Sequence, residues 1–472
     1  MANAKDIYVS ATGSDANDGK TEKTALQTLQ KAHDLVEPGD VVLVGNGIYS
    51  SDPKTDKVGG SALLLITKSG KPDAWITWKA QPGHKPELRP RGWAGIDVRG
   101  SYHIVEGFTL MGANDEIVLL AALESAKKGE ANPYFNTNGI MVEGRKNTPE
   151  NKPRHVIIRK NIVGKFPGGG ITMLEADHWT VEDNMVFDNA WFMKYGGSGI
   201  TTLNAWKTDD APGYHIIIQR NKVWNNKTMV PWEKIGKLSD GNGILIDVTD
   251  QATSGASNPN ADPGAKPASA PAKDDATNPN ADPAVKKTEA SAAAPAKPRV
   301  LGPNEVDPTK PKRPIWDVKS LIANNVSAFN GGSGIHTFRT SHVDIVNNTV
   351  YWNGSNVGYQ DLFPNRSENI TFLNNIIVPR PGAQPTSSNR NTNIRWDYNM
   401  YPVAQKVFPA PNDIVADPQF VKVHRDLFLA DFRLKSDSKG RDSGTDDLAQ
   451  PTDVDGTKRP QGGGRDRGAY EQ

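Results

Sequence analysis

The chain has no cysteine, no long apolar run and no excess of charge of either sign. Each absence removes a class of protein. Without thiols there are no disulfides and no thiolate metal sites, and the redox compartment stays open. No stretch approaches the roughly 20 apolar residues that span a bilayer, so the expectation is a soluble protein with no membrane partner. Lys and Arg number 55 against 54 Asp and Glu, so no global field draws in nucleic acid, and a polyanion has to be met by local charge. The opening MANAKDIYVS carries no signal peptide. It fits a mature exported chain, secreted or periplasmic, with an added Met1, although a cytoplasmic chain would begin in the same way.

Helical pattern is scarce as well. One stretch carries it, TALQTLQKAHDLV from Thr24 to Val36, where Leu26, Leu29, Ala32 and Val36 recur at helical spacing before EPGD stops the run. It reads as a helix capping the open end of a stack. What is abundant is glycine, 44 residues, with Asn-rich turns and short alternating strands, the marks of an all-β chain. A single core usually stops growing at roughly 250–300 residues. At 472 residues the chain exceeds that, and repeat folds escape the limit because each unit packs only on its neighbours.

A repeat is present. Its first part is Gly-Ile plus an alternating strand: GIMVEGR at Gly139, GITMLEA at Gly170, GITTLNA at Gly199, GILIDVT at Gly243 and GIHTFRT at Gly334. Its second part is a short strand running into asparagine, at Asn161, Asn184, Asn221, Asn325, Asn348 and Asn375. Two of the intervals are 23 residues and the others are longer by insertions, which makes 23 one coil. Strands that recur every coil between Gly and Asn corners predict a parallel β-helix, with apolar side chains inward and asparagines stacked at the bends. A β-sandwich would need hairpins, and Asn-Gly hairpin signals are scarce between these runs. From 251 to 312 the pattern gives way to Ala, Pro, Lys, Asn and Asp, with NPNADP at Asn258 and again at Asn278. That composition predicts a disordered loop thrown out between two coils of a single domain.

The leading segment DIYVSATGSDANDGKTEKTALQTLQKAHDLVEPGDVVLVGNGIY and the C-terminal closing segment, residues 413–472, resemble the ends of right-handed β-helix proteins that act on polysaccharides. Between them YGGSGITTLNAW, PGYHIIIQRNKVWNN, SDGNGILID and GGSGIHTFRTSHVDIVNNTVYWNG resemble the central coils of a bacterial group that includes alginate-type polysaccharide lyases. The resemblance implies a right-handed parallel β-helix and a monomer that cleaves a uronate polymer, with alginate first and pectate-like chains second. Hydrolases, epimerases and binding proteins share the fold.

Taking each repeat's Ile as inward, the first outward place holds Met141, Thr172, Thr201, Leu245 and His336. The second holds Glu143, Leu174, Leu203, Asp247 and Phe338, and the bend that follows holds Gly144, Glu175, Asn204, Val248 and Arg339. Two excursions enter this strand line, AWFMKYGGSG with Trp191, Lys194 and Tyr195, and NNKTMVPWEKIGKLSDGNG with Trp232, Lys234, Lys237 and Asp240. Aromatic platforms beside a few polar groups suit sugars, whose ring faces are apolar and whose edges carry hydroxyls.

Cleaving a uronate by β-elimination requires a neutralised carboxylate, a base for the adjacent proton and a donor for the leaving oxygen. Lys237 or Lys234 is the candidate base, Tyr195 the acid, and Arg339, His336 or Asn204 the neutraliser. The resembling lyases use a Tyr and Lys couple, and Tyr195 with Lys237 matches it best by position. Lys194, Trp191, Trp232 and Glu175 complete the expected substrate-binding set. Asp240 before Gly241 reads first as turn chemistry. With Asp247 and Glu175 it supplies too few oxygens for a full Ca²⁺ site, although Ca²⁺ is the one cofactor the pattern suggests. His103, His155, His178, His215 and His342 all begin second-part strands and read as corner residues. Two other readings stay open: a glycoside hydrolase with paired acids drawn from Glu143, Glu175, Asp240 and Asp247, and a glycan-binding protein that does not cut.

Overall fold

Each Gly-Ile repeat forms one strand of a right-handed parallel β-helix. The computed structural model describes residues 4–51, 62–249 and 311–472. Residues 251–310 of the low-complexity insertion lie outside the described residues, and the described parts of 4–249 and 313–472 belong to one unit. Among the described residues, three parallel sheets carry the chain. The first has 11 strands, from Asp6–Val9 to Thr392–Asp397; the second has eight, from Leu64–Ile66 to Leu362–Asn365; the third has 11, from Ile48–Ser50 to Ile414–Val415. Each full coil contributes one strand to the second, the first and the third sheet in turn, as Ile171–Leu174, Asp177–Glu182 and Met185–Phe187 do.

The second sheet keeps the register that the repeat implies. Ile140, Ile171, Ile200, Ile244, Ile335 and Leu362 pair in one row, and all are buried in the common core with Val156, Trp179, Ile216 and Val343 of the first sheet. The glycine before each Ile has a steric cause. A Cβ on Gly170 would lie 2.6 Å from the carbonyl oxygen of Gly199, and one on Gly199 would lie 2.7 Å from that of Gly243. Successive coils meet at this row too closely for a side chain.

Asparagines close the bend between the first and third sheets. Asn161 N donates to Asn184 Oδ1 at 2.9 Å, Asn184 N to Asn221 Oδ1 at 3.0 Å and Asn221 N to Asn325 Oδ1 at 2.9 Å, and the series continues through Asn348 and Asn375 to Asn399 and Asp413. A second ladder, not singled out in the sequence, runs up the next bend through Asn189, Asn226, Asn330 and Asn353 to Asp361. Both ladders thus end on an aspartate, since the last rung needs only to accept.

The N-terminal helix spans Leu29–Leu35, shorter than the Thr24–Val36 expected, with the Thr28 hydroxyl accepting from Lys31 N at its start. Leu26 is pre-empted by strand pairing: its N–H donates to Tyr8 O and its carbonyl accepts from Ser10 N. The helix serves the edge of the second sheet. Gln30 Oε1 accepts from Leu65 N at 3.0 Å and His33 Nε2 from Thr67 N at 3.0 Å, so side chains occupy backbone groups that an edge strand would otherwise expose. Within the C-terminal segment, Phe420–Lys422 pairs antiparallel with Asp431–Leu434. Leu427, Phe432, Val454 and Tyr470 pack on Phe187, Trp224 and Phe329 along the outer face of the third sheet. No helix is long and apolar enough to cross a membrane among the described residues.

The ladder predicts its own energetic weight. Asn325 Oδ1 accepts from both Asn221 nitrogens, and Asn325 Nδ2 donates to Ile218 O and Asn348 Oδ1. Asn325→Leu leaves several of these buried groups unmatched, and chemical denaturation should show a loss of about 2–5 kcal/mol. A loss below about 1 kcal/mol would mean that the bend is satisfied in another way.

Candidate functional site

The two excursions run side by side at the N-terminal ends of the second-sheet strands. Lys227 N donates to Asn189 O, Met229 N to Trp191 O, Glu233 N to Lys194 O and Gly241 N to Gly197 O. Each excursion starts immediately after a rung of the second asparagine ladder, which fixes its base.

Tyr195 lies beside this meeting. Its ring packs against the Lys194 ammonium, 4.9 Å from the ring centroid, and against Trp93 at 6.5 Å between centroids. Lys194 is buried and forms a 2.8 Å ion pair with Glu233. Burial works against its charge, but the Glu233 carboxylate and Tyr195 outweigh it and raise the ammonium's pKa. Lys194 is therefore a fixed cation supporting Tyr195, a correction to its expected role in contacting substrate directly. Glu233 and Trp93 were missed because an exposed-looking Glu and a Trp several coils away carry no local signal.

Lys234 and Lys237 sit on an exposed hairpin closed by Trp232, whose N–H donates to Lys237 O at 3.0 Å. Unlike Lys194, neither ammonium is engaged by a carboxylate among the described residues. Asp240 is partly buried, with its carboxylate against Gly196: a Cβ there would meet Asp240 Oδ2 at 2.5 Å, with Trp232 Cγ at 3.9 Å. Burial raises the Asp240 carboxyl to about 6, with the Ser239 side chain opposing. In SDGNGILID the intervening amide is structural, since Asn242 Oδ1 accepts from Ser333 N and its Nδ2 donates to Ser198 Oγ.

Tyr359, unremarked in the sequence, links Asp240 to the next coils. Burial raises its pKa, and the charges of Asp240 and Asp247 add to the rise. Its ring meets His336 at 5.4 Å and Phe363 at 5.4 Å. His336 stacks on Phe363 at 4.8 Å and is only 6% exposed. Burial pushes it down to about 3, so it is neutral and enclosed at neutral pH, which corrects its expected role as a cationic neutraliser.

The outward columns pair as expected, Met141 with Thr172, Thr201, Leu245 and His336 in one row and Glu143 with Leu174, Leu203, Asp247 and Phe338 in the other. Outward does not mean exposed, however. Leu245, Val248 and Phe338 are buried in an apolar cluster with Leu203 beside them, so the continuous polar face expected there is interrupted, and Met141 and Thr172 lie on its more open part. At the C-terminal bend Glu175, Asn204, Val248 and Arg339 all have left-handed backbones, with φ of 50°, 55°, 58° and 50°. Glu175 is held at 2.7 Å by buried Lys152, which also lies over Trp206, so its carboxylate has a structural partner. Asn204 is partly buried, and its amide makes no hydrogen bond to another side chain or to the backbone among the described residues. Trp191 is likewise corrected to packing: it sits with Phe192 and Val230, bonds Asn225 O through Nε1 and lies under Lys227.

Nine of the twelve sequence candidates divide between two edges. Tyr195, Lys194, Trp232, Lys234, Lys237 and Asp240 border the strand starts; Glu175, Asn204 and Arg339 border the strand ends, roughly 13 Å away at 3.3 Å per residue. Asp247 lies half-buried in the strand row between Leu203 and Phe338. Among the described residues Asp240, Asp247 and Glu175 do not gather into a three-residue ion-binding set.

This arrangement belongs to a parallel β-helix. No known family profile matches the chain, and no curated protein does. Among solved structures it is similar to the pectate lyase Pel9A, with a TM-score of 0.54 and 16% identity over 100% of this chain and 97% of that one. It is also similar to XylC in complex with xylose (TM-score 0.46, 10% identity, 98% of each chain). An alginate lyase from Paenibacillus sp. str. FPU-7 matches with a TM-score of 0.35 and 12% identity over 84% of this chain and 97% of that one. At these identities the likeness to Pel9A establishes the fold.

The Asp240 environment predicts a pH dependence. Its carboxyl ordinarily titrates near 3.8 and is raised to about 6 here, so between pH 4 and 6 the folded state binds more protons than the unfolded one. Stability from this group is present below pH 4 and is lost as pH rises through 6. Asp240→Asn removes the loss, so the variant's stability relative to the parent should be more favourable at pH 7 than at pH 4. Denaturant titrations at the two pH values check this.

Proposed function

We propose that the protein is a polysaccharide lyase that cleaves a uronate-containing polymer by β-elimination. The observation that carries the reading is the meeting of the two excursions, with Tyr195 against Lys194 and Trp93, and Lys194 paired to Glu233 of the hairpin. Lys237 is the candidate base: Lys194 is committed to the Glu233 carboxylate, and among the described residues no carboxylate engages Lys237. It removes the proton beside the uronate carboxylate; the electron pair forms the C4–C5 double bond as the C4–O bond breaks; Tyr195 gives its proton to the departing oxygen. Lys194 steadies the negative charge that Tyr195 then carries. Arg339, with Asn204 beside the same face, takes the neutralising role at the far edge. Trp232 and Trp93 offer ring faces to the sugar. Any Ca²⁺ requirement rests on Asp240 and Asp247 as ligands supplemented by the substrate's own carboxylates.

The resemblance of the central coils favours alginate, and the full-length likeness to a pectate lyase brings polygalacturonate beside it. The same reading takes the protein to be secreted or periplasmic, where a polymeric substrate would be met. A second reading is favoured by one observation: a carboxyl raised to about 6 at Asp240 is what a hydrolase requires of its general acid, with Asp247 as partner. Glu143 is less suited, being tied to Arg145 at 2.6 Å.

Absorbance near 235 nm separates the two, since only elimination creates a conjugated double bond. With alginate, polygalacturonate and glucuronan, with and without EDTA, a rise is expected on at least one polymer. Lys237→Ala and Tyr195→Phe should each lower kcat by about 10²–10⁴-fold. Reducing ends released without that absorbance, and lost in Asp240→Asn, would establish hydrolysis in place of elimination.

A further inference from the structure

On the first sheet, aromatic rings stack coil upon coil where the strands begin. Tyr102, His155, His178 and His215 follow one another with centroids 4.7, 4.5 and 3.8 Å apart. Tyr102, His155 and His178 have left-handed backbones, with φ of 62°, 56° and 42°, a conformation that disfavours ordinary side chains and aims these rings in one direction.

The inner end of the stack is fully partnered. Buried Asp177 accepts from His178 N and from Thr208 N and Oγ1, and lies 2.9 Å from His215 Nδ1, while His215 Nε2 reaches Ala211 O at 3.0 Å. The outer end is not. Among the described residues the His155 ring makes no hydrogen bond, and His178 Nε2 points to Asp209 Oδ1 at 2.8 Å, with the Asp209 side chain itself 41% exposed. A ring nitrogen of His155, one of His178 and a carboxylate oxygen of Asp209 all lie within 4.8 Å of one another.

We propose that His155, His178 and Asp209 form a binding site for a divalent transition-metal ion of the Zn²⁺ type, with the remaining coordination position open to water. Two imidazoles and a carboxylate are the donors such ions prefer, whereas Ca²⁺ wants six to eight oxygens. Bonds of about 2.0–2.2 Å hold tetrahedral donors about 3.3–3.5 Å apart, so side-chain rotation closes the set without moving the sheet. The three ligands come from different coils: His155 and His178 stand on neighbouring first-sheet strands, and Asp209 is on the loop between Ile200–Leu203 and Tyr214–Gln219. Ligation would clamp that loop, which begins at Asn204, to the stack. The site is independent of the carbohydrate reading.

Tag-free protein, stripped with chelator and desalted, is titrated with ZnCl₂ by calorimetry and with CoCl₂ by visible absorption, and its Tm is followed with each ion. The expected result is one ion per chain at micromolar Kd, ligand-field bands from Co²⁺ and a raised Tm. Asp209→Ala and His155→Ala should each weaken binding by more than about tenfold, since even outer-shell partners command that much. Asp209 is on the surface, so its variant carries the test should His155→Ala fold poorly. Binding weaker than about 100 μM, or binding that Asp209→Ala leaves unchanged, would overturn the site and leave the stack a purely structural column.

Discussion

The structure depends on satisfying the backbone at its bends. A parallel coil pairs its strands with the coils above and below, but the residues that turn between sheets have no such partner. Asparagine supplies one, because its amide can accept from the N–H of the preceding rung while donating to a carbonyl. Each buried group left unmatched costs about 1–3 kcal/mol, so a handful would exceed the stability of an ordinary domain, about 5–15 kcal/mol. The residues before the rungs take up the geometric strain: Lys160, Asp183, Arg220, Asn324, Asn347 and Asn374 are all left-handed. The glycine row on the second sheet has the same origin, since coils held at hydrogen-bonding distance leave no room for a Cβ.

Burial then sets the electrostatics of everything attached to this frame. Where a buried charge has a partner it stays charged, as Lys194 does beside Glu233. Where it has little, the neutral form is favoured, as at His336 and Asp240. Asp361, the last rung of the second ladder, is pushed by burial to about 7 even though it accepts two hydrogen bonds from Asn353.

The fold was legible because its cause is periodic. Asn161, Asn184, Asn221, Asn325, Asn348 and Asn375 mark one bend, and each Gly-Ile marks the start of a second-sheet strand, so register followed from alignment alone. The second ladder was equally legible: Asn189, Asn226, Asn330 and Asn353 repeat the same intervals of 37, 104 and 23 residues. The site was legible only in part. Alternation says which side of the sheet His336 and Leu245 occupy, but what covers that side comes from elsewhere in the chain, as Tyr359 and Phe363 do over His336. The same limit hid the partners of Lys194, Glu175 and Trp191, since each pairing joins residues that no period relates. The helix was misjudged at its start because Leu26 has helical spacing and strand hydrogen bonds.

The frame also decides where a site can be. Between the first and third sheets the bend is two residues long in coil after coil, as 160–161, 183–184, 220–221, 324–325, 347–348 and 374–375. Lengthening it would pull a rung out of the ladder and strand the N–H groups on either side. Along the ladder the long connections fall instead at the bends that border the second sheet: 188–199, 225–243 and 352–361 before its strands, 204–213 after one of them. Variation that carries chemistry is thus channelled to the edges of one sheet, and excursions from neighbouring coils, rooted one rung apart, are brought alongside each other. Lys194 and the Trp232–Lys237 hairpin meet because their excursions leave neighbouring rungs of the second ladder, Asn189 and Asn226.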